Sequence, residues 1–231
     1  MAKIPLEKIL FLDIETVPLI YKYTDLDETT RALWDKRWQY LKETTGEQQY
    51  AKAGIYAEFA RVLCIGLGYY NGKKFRVTTI ISDNEKEVLE KFANLLSEHF
   101  NTAQHLLCAH NGKEFDFPFL CRRFLINNMP LPRVLQLQGK KPWEVNHIDT
   151  MELWKFGDIK NFSSLNLLAH IFGIPSPKQD LDGAQVSKTY YEEKDLKKIG
   201  DYCRGDVITL ARIYNRFAGL GNLASEDIIF V

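Results

Sequence analysis

The stretch FLDIETVP, residues 11–18, sets two carboxylates one residue apart inside an apolar run. Side chains of an extended strand alternate between its faces, so Asp13 and Glu15 share one face while Leu12 and Ile14 share the other. Like charges side by side on a strand that otherwise reads as buried need a reason. A solvated strand end is one, and so short a motif carries little weight alone.

Around this stretch the chain alternates strands and helices. Residues 8–14 (KILFLDI) read as the first strand, and residues 61–70 (RVLCIGLGYY) and 74–81 (KFRVTTII) as a hairpin around the turn Asn71-Gly72. Ser82 and Glu85 predict a capping box before an amphipathic helix carrying Val88, Leu89, Phe92, Leu95 and Leu96. HLLCA (105–109) suits a buried parallel strand, and 115–126 suits a helix with Pro118 in its first turn. A further strand is expected to end near Asp149. Ser163 or Ser164 opens a helix that stops at Gly173, and residues 192–218 carry a stripe of Leu196, Ile199, Cys203, Leu210, Tyr214 and Phe217. Antiparallel strands followed by βα units predict an α/β fold with a mixed sheet flanked by helices.

Residues 19–58 form an insertion after the first strand, with a helix expected from Asp27 to Lys42. Its near end must lie beside Glu15. Trp34, Trp38, Tyr40 and Tyr50 could stack unpaired bases as a helical flap, or pack a small core of the insertion's own.

Composition bounds the partners. The 231 residues are 45% hydrophobic and 13% aromatic, enough for one sizeable core and a single domain. Thirty basic and thirty acidic side chains leave no net positive field, so a polyanion would be held by a local patch or by metal ions. Cys64, Cys108, Cys121 and Cys203 show no C-x-x-C spacing and read as reduced, buried thiols. Neither a signal peptide nor a membrane-spanning run is evident, so a cytoplasmic protein with no membrane partner is expected.

Two further acidic points stand out. AHNGKEFDFPFL (109–120) sets Asp116 at the mouth of a helix, where it equally suits an N-cap. YCRGDVITLARIY (202–214) sets Tyr202 and Asp206 a helical turn apart on one face. Gly205 between them costs ~1 kcal/mol against alanine, which a close backbone approach would explain. The alternative is a half-buried Tyr202 and a solvated Asp206.

Together these stretches resemble the three exonuclease motifs of the DEDD superfamily in order and spacing. They are Asp13-x-Glu15, N-x-x-x-F-D (Asn111, Phe115, Asp116) and Y-x-x-x-D (Tyr202, Asp206). The tyrosine marks the DEDDy subclass; the DEDDh subclass would want histidine where Asp201 stands. From about Lys8 to Phe217 the chain is similar to stand-alone 3′-to-5′ exonucleases related to the proofreading domain of family-B DNA polymerases. The resemblance implies a ribonuclease-H-like fold over one domain, residues 1–231, with the 19–58 insertion and the 220–231 tail outside the shared motifs.

It also implies two divalent ions, Mg2+ or Mn2+. Asp13 would bridge both, Glu15 and Asp206 would complete the nucleophile-side ion, and Asp116 would hold the second mostly through water. Tyr202 would orient the attacking water. The backbone at Thr16, the amide of Asn111 and Phe115 would contact the terminal nucleotide. The substrate would be a nucleic acid with a free 3′ end, DNA favoured over RNA, and the product a nucleoside 5′-monophosphate; the 19–58 flap over that end would favour single-stranded over duplex substrate. Clustered carboxylates raise one another's pKa unless cations neutralise them, and two ions ~3.5–4 Å apart clamp both oxygens of a phosphoryl displacement. On this reading, metal is why Asp13 and Glu15 share a face.

Other residues carry less. Trp143 beside Lys140 and Lys141 suits either a strand of nucleic acid or an anchored surface loop. Lys178 could reach a phosphate. His110 reads as hydrogen-bonded structure, Asp149 as a cap, and Arg122 and Arg123 as a solvated helix face. A ribonuclease-H-like endonuclease or resolvase is a rival, disfavoured by the Tyr202-Asp206 spacing. A catalytically silent nucleic-acid-binding module is another, and it would be expected to lack a carboxylate.

Overall fold

The computed structural model describes residues 4–158, 160–175, 181 and 183–231. Its strands are β1 (Ile9–Pro18), β2 (Ala60–Asn71), β3 (Lys74–Ile81), β4 (Leu106–Ala109), β5 (Ile148–Asp149) and β6 (Ile228–Phe230). Its helices are α1 (Glu28–Trp38), α2 (Gly46–Gln49), α3 (Glu85–His99), α4 (Asp116–Ile126), α5 (Thr150–Lys155), α6 (Leu165–Ile171), α7 (Val186–Lys188) and α8 (Leu196–Phe217). One sheet runs in the order β5-β4-β1-β2-β3-β6. β1, β2 and β3 pair antiparallel, whereas β4 on β1, β5 on β4 and β6 on β3 are parallel. The expected mixed sheet flanked by helices is thus present, with the acidic strand near its middle.

Period-two alternation assigns the faces of β1. Leu10, Leu12 and Ile14 pack with Val88, Phe92, Phe117 and Leu120 from α3 and α4. Ile9 and Phe11 pack with Val207, Leu210, Ala211 and Tyr214 from α8. Asp13 and Glu15 follow Phe11 on the α8 side. Burial on both faces explains why β1 is hydrophobic almost throughout.

Several expectations need correction. The capping box at Ser82 and Glu85 does not form, because α3 starts at Glu85 behind the N-cap Asn84, whose side chain accepts from Lys86 N. Glu85 instead points inward, accepts from Val62 N at 2.8 Å and pairs with Arg123 Nη2 at 2.6 Å. Arg123 is therefore 4% exposed rather than solvated, and its Nη1 donates to Ala57 O; Arg122 does stay exposed. The desolvation cost of each charge is met by its partner and by backbone groups. The hairpin turn falls at Gly72-Lys73, since Asn71 still pairs with Lys74. The tail after Leu220, which lies outside the shared motifs, returns to the sheet as β6 on the β3 edge.

The insertion's aromatic residues mostly pack on one another. Trp34 is fully buried, donates from Nε1 to Gly46 O at 2.7 Å and stands edge-on to Tyr50 and Phe59. Tyr50 is buried too, and Trp38 packs against both Trp34 and Tyr56. Neither Trp34 nor Tyr50 can offer a ring to a base; among the four named aromatics Tyr40 is the exposed one. The expected helix is shorter than proposed, Glu28–Trp38, capped by Asp27.

Candidate active site

Asp13 and Glu15 leave β1 toward α8 just before an irregularity in the ladder between Glu15 and Thr16. α8 can reach them because β2 offers no side chain where the helix crosses. Gly66 pairs with Asp13 in the ladder, and a Cβ on it would lie 2.8 Å from Val207 Cγ2 and 2.9 Å from Cys203 Sγ. Gly68, opposite Phe11, leaves similar room for Val207 and Phe75. On the facing side of α8, Tyr202 and Asp206 are both buried, which removes the solvated-face alternative for Asp206. Gly205 is buried as well, and its carbonyl accepts from Thr209 Oγ1. Cys203 donates its S–H to the Asp13 carbonyl at 3.4 Å and to its carboxylate at 3.5 Å.

The third acidic point comes from the opposite face. After β4 the chain turns through Asn111, in the left-handed region at φ 63°, into α4, whose first residue is Asp116. Asp149 fixes that turn: its carboxylate accepts from Asn111 N at 2.9 Å and from Lys113 N at 3.1 Å. The same carboxylate caps α5 through Met151 N, so one buried side chain joins the two loops. Asp116 thereby meets the backbone N–H of Ile14, between the two acidic positions of β1.

The electrostatics are those of concentrated negative charge. Burial, then Asp206 and Asp116, raises the Asp13 pKa well above the carboxylate range, and burial, then Asp13 and Asp206, does so for Glu15. Asp116 is pushed up to about 7, mainly by burial, against hydrogen bonds from its own and the Ile14 backbone. Burial and the neighbouring carboxylates, with a hydrogen bond to Asp206, hold the Tyr202 phenol protonated far above its usual range. Among the described residues no lysine or arginine pairs with Asp13, Glu15 or Asp116. Oxygen-rich and mutually repelling, this donor set fits hard divalent cations.

The remaining residues singled out in the sequence lie as follows. Thr16 spends its hydroxyl on Gly54 O at 2.6 Å, tying the end of the insertion to β1. Phe115 packs on Phe119 just before α4. Trp143 is 75% exposed, with Lys141 Nζ over its ring. His110 bonds Thr150 Oγ1 and Ser163 O, as a structural histidine would. Lys178 lies outside the described residues. Sequence reasoning gave no part to Gly66, Gly68 or Cys203; the glycine pair in an otherwise branched and aromatic strand was the available signal.

A family model described as a predicted 3′-5′ exonuclease related to the exonuclease domain of PolB matches residues 55–228. The chain belongs to this family. The family match includes Asp116, Tyr202 and Asp206 but starts beyond β1, so in this exonuclease-family member the fold is what brings Asp13 and Glu15 to them. Among solved structures the chain is similar to the family B DNA polymerase of the hyperthermophilic archaeon Pyrobaculum calidifontis, with TM-score 0.57 and 15% identity. The similarity covers 90% of this chain and 24% of the polymerase, and it shows the shared ribonuclease-H-like fold. No curated protein matches the sequence.

Proposed function

We propose that this chain, as a single exonuclease domain, hydrolyses nucleic acid from a free 3′ end and releases nucleoside 5′-monophosphates, on single-stranded DNA in preference to RNA. The observation that carries this reading is the convergence of carboxylates from β1, α4 and α8, with Glu15, Asp116 and Asp206 buried and the Tyr202 phenol among them. Asp13, Glu15, Asp116 and Asp206 would hold two divalent ions, Mg2+ or Mn2+. When bound, these lower the pKa of a water and stabilise charge on the phosphoryl oxygens.

The protein's own groups do the rest. Tyr202, kept protonated, orients the attacking water by hydrogen bonding and takes no proton. The backbone at Thr16, the amide of Asn111 and the Phe115 ring contact the terminal nucleotide, with Trp143 further along the strand. Among the described residues no helix is long and apolar enough to cross a membrane, and the four free thiols suit a reducing compartment such as the cytoplasm.

End-labelled DNA and RNA oligonucleotides incubated with the protein and with Tyr202→Phe test the reading. The variant is expected to keep its metal affinity and to lose turnover. Loss of metal affinity with turnover retained at saturating metal would show that Tyr202 has another role. Cleavage of circular or 3′-blocked DNA at the rate of open strands would instead favour an endonuclease.

A further inference from the structure

The acidic site contains one donor that hard-metal chemistry does not need. A carboxylate oxygen of Asp13, one of Glu15 and Sγ of Cys203 all lie within 4.8 Å of one another. Cys203 follows Tyr202 on α8 and is fully buried, so its thiol is held in place by packing rather than by chance exposure. The room for it is made by the missing side chain of Gly66, whose Cβ would stand 2.9 Å from Sγ. Its S–H meets the very carboxylate expected to bridge two ions.

Mg2+ has little use for sulfur, whereas Zn2+, Co2+ and Cd2+ bind thiolate readily and at four-coordinate geometry. We infer that Asp13, Glu15 and Cys203 form an alternative site for one thiophilic divalent cation, which competes with Mg2+ or Mn2+ for the two carboxylates. The inference rests on the proposed metal role of Asp13 and Glu15. Binding forms a metal–sulfur bond in place of the S–H bond, and the proton leaves to solvent. No change in oxidation state is involved. Cys203 would thus set which ions the site tolerates: zinc held by Asp13, Glu15 and Cys203 would take the carboxylates that the hard pair needs, and would inhibit.

Titrating the metal-free protein with Co2+, in the absence of nucleic acid, reads this directly, because a thiolate ligand gives sulfur-to-cobalt charge-transfer absorption in the near ultraviolet. The band is expected in the parent protein and absent in Cys203→Ser and Cys203→Ala. Zn2+ affinity should fall by about 10-fold or more in both variants, while Mn2+ affinity, read by paramagnetic resonance, keeps its parent value. A parent protein without the band at saturating Co2+, or a band that survives Cys203→Ser, would overturn the inference. So would a parallel loss of Mn2+ and Zn2+ affinity in both variants, since that reports packing rather than ligation. None of these readouts requires exonuclease activity, so failure here and failure of the proposed reaction are separable.

Discussion

Gly66 on β2 stands directly across the ladder from Asp13, and the volume its missing side chain would fill belongs to Cys203 and Val207 of α8. The distance between the acidic strand and the acidic helix is therefore set by a residue that bears no functional group. A methyl at Gly66 would have to push α8 outward, because its closest neighbours include the Cys203 carbonyl at 3.0 Å as well as side-chain atoms.

Gly66→Ala should accordingly cost about 1–3 kcal/mol of stability, the usual range for overpacking. Turnover should fall by more than the folded fraction does, because displacement of a catalytic group by ~1 Å can cost ~100-fold. Denaturant unfolding and oligonucleotide turnover on the same preparation check this. Parent-level turnover would show that α8 need not sit so close.

Metal-free stability should fall as pH rises. Asp116 has its folded-state pKa raised to about 7, with Asp13 and Glu15 raised as well, while the unfolded chain ionises its carboxylates near ~4. Between those values the folded state binds more protons than the unfolded one, so stability present below pH ~4 is lost as pH climbs through about 7. In chelator, thermal unfolding temperature should drop across this window; Mg2+ or Mn2+ should reverse the drop. A pH-independent unfolding temperature in chelator would contradict the electrostatic account.

Asp149 is a positioning residue in this account, since it touches the turn that carries Asp116 rather than the reacting groups. Asp149→Asn swaps one acceptor for a donor against the backbone N–H groups of Asn111, Lys113 and Met151 that the carboxylate binds. It should lower kcat by about 10- to 100-fold, the range for groups that support metal ligands. KM should change less, and a purely structural role would appear instead as lost stability with kcat intact.

The buried Arg123–Glu85 pair ties α4 to α3 and to the start of β2. Arg123→Ala leaves Glu85 buried and without that partner, so it should cost about 3–5 kcal/mol in denaturant unfolding. Loss of less than ~1 kcal/mol, the worth of a surface pair, would mean that the pair is solvated in solution.

What could be read in advance follows from what is local. The acidic pair on β1, the βα units and the Tyr202-Asp206 spacing are set by periods of two and 3.6, and these survive in a bare sequence. Gly66 acquires meaning only through its register with Asp13 and its contact with α8, more than a hundred residues later. Glu85 fits a capping box by spacing, yet its partner Arg123 is 38 positions away. Residues 228–230 are too few to signal a strand, and only pairing with β3 makes them one. The insertion's aromatic residues look the same in sequence whether they face bases or one another.

The central claim is that the carboxylates of β1, α4 and α8 act together on a 3′ end. The most direct test follows 5′-labelled single-stranded DNA in Mg2+ or Mn2+, with the parent protein, with Asp13→Asn and with excess chelator. The account predicts stepwise shortening from the 3′ end and nucleoside 5′-monophosphate as product, with both abolished by Asp13→Asn and by chelator. Full cleavage that persists in chelator or in Asp13→Asn would contradict it.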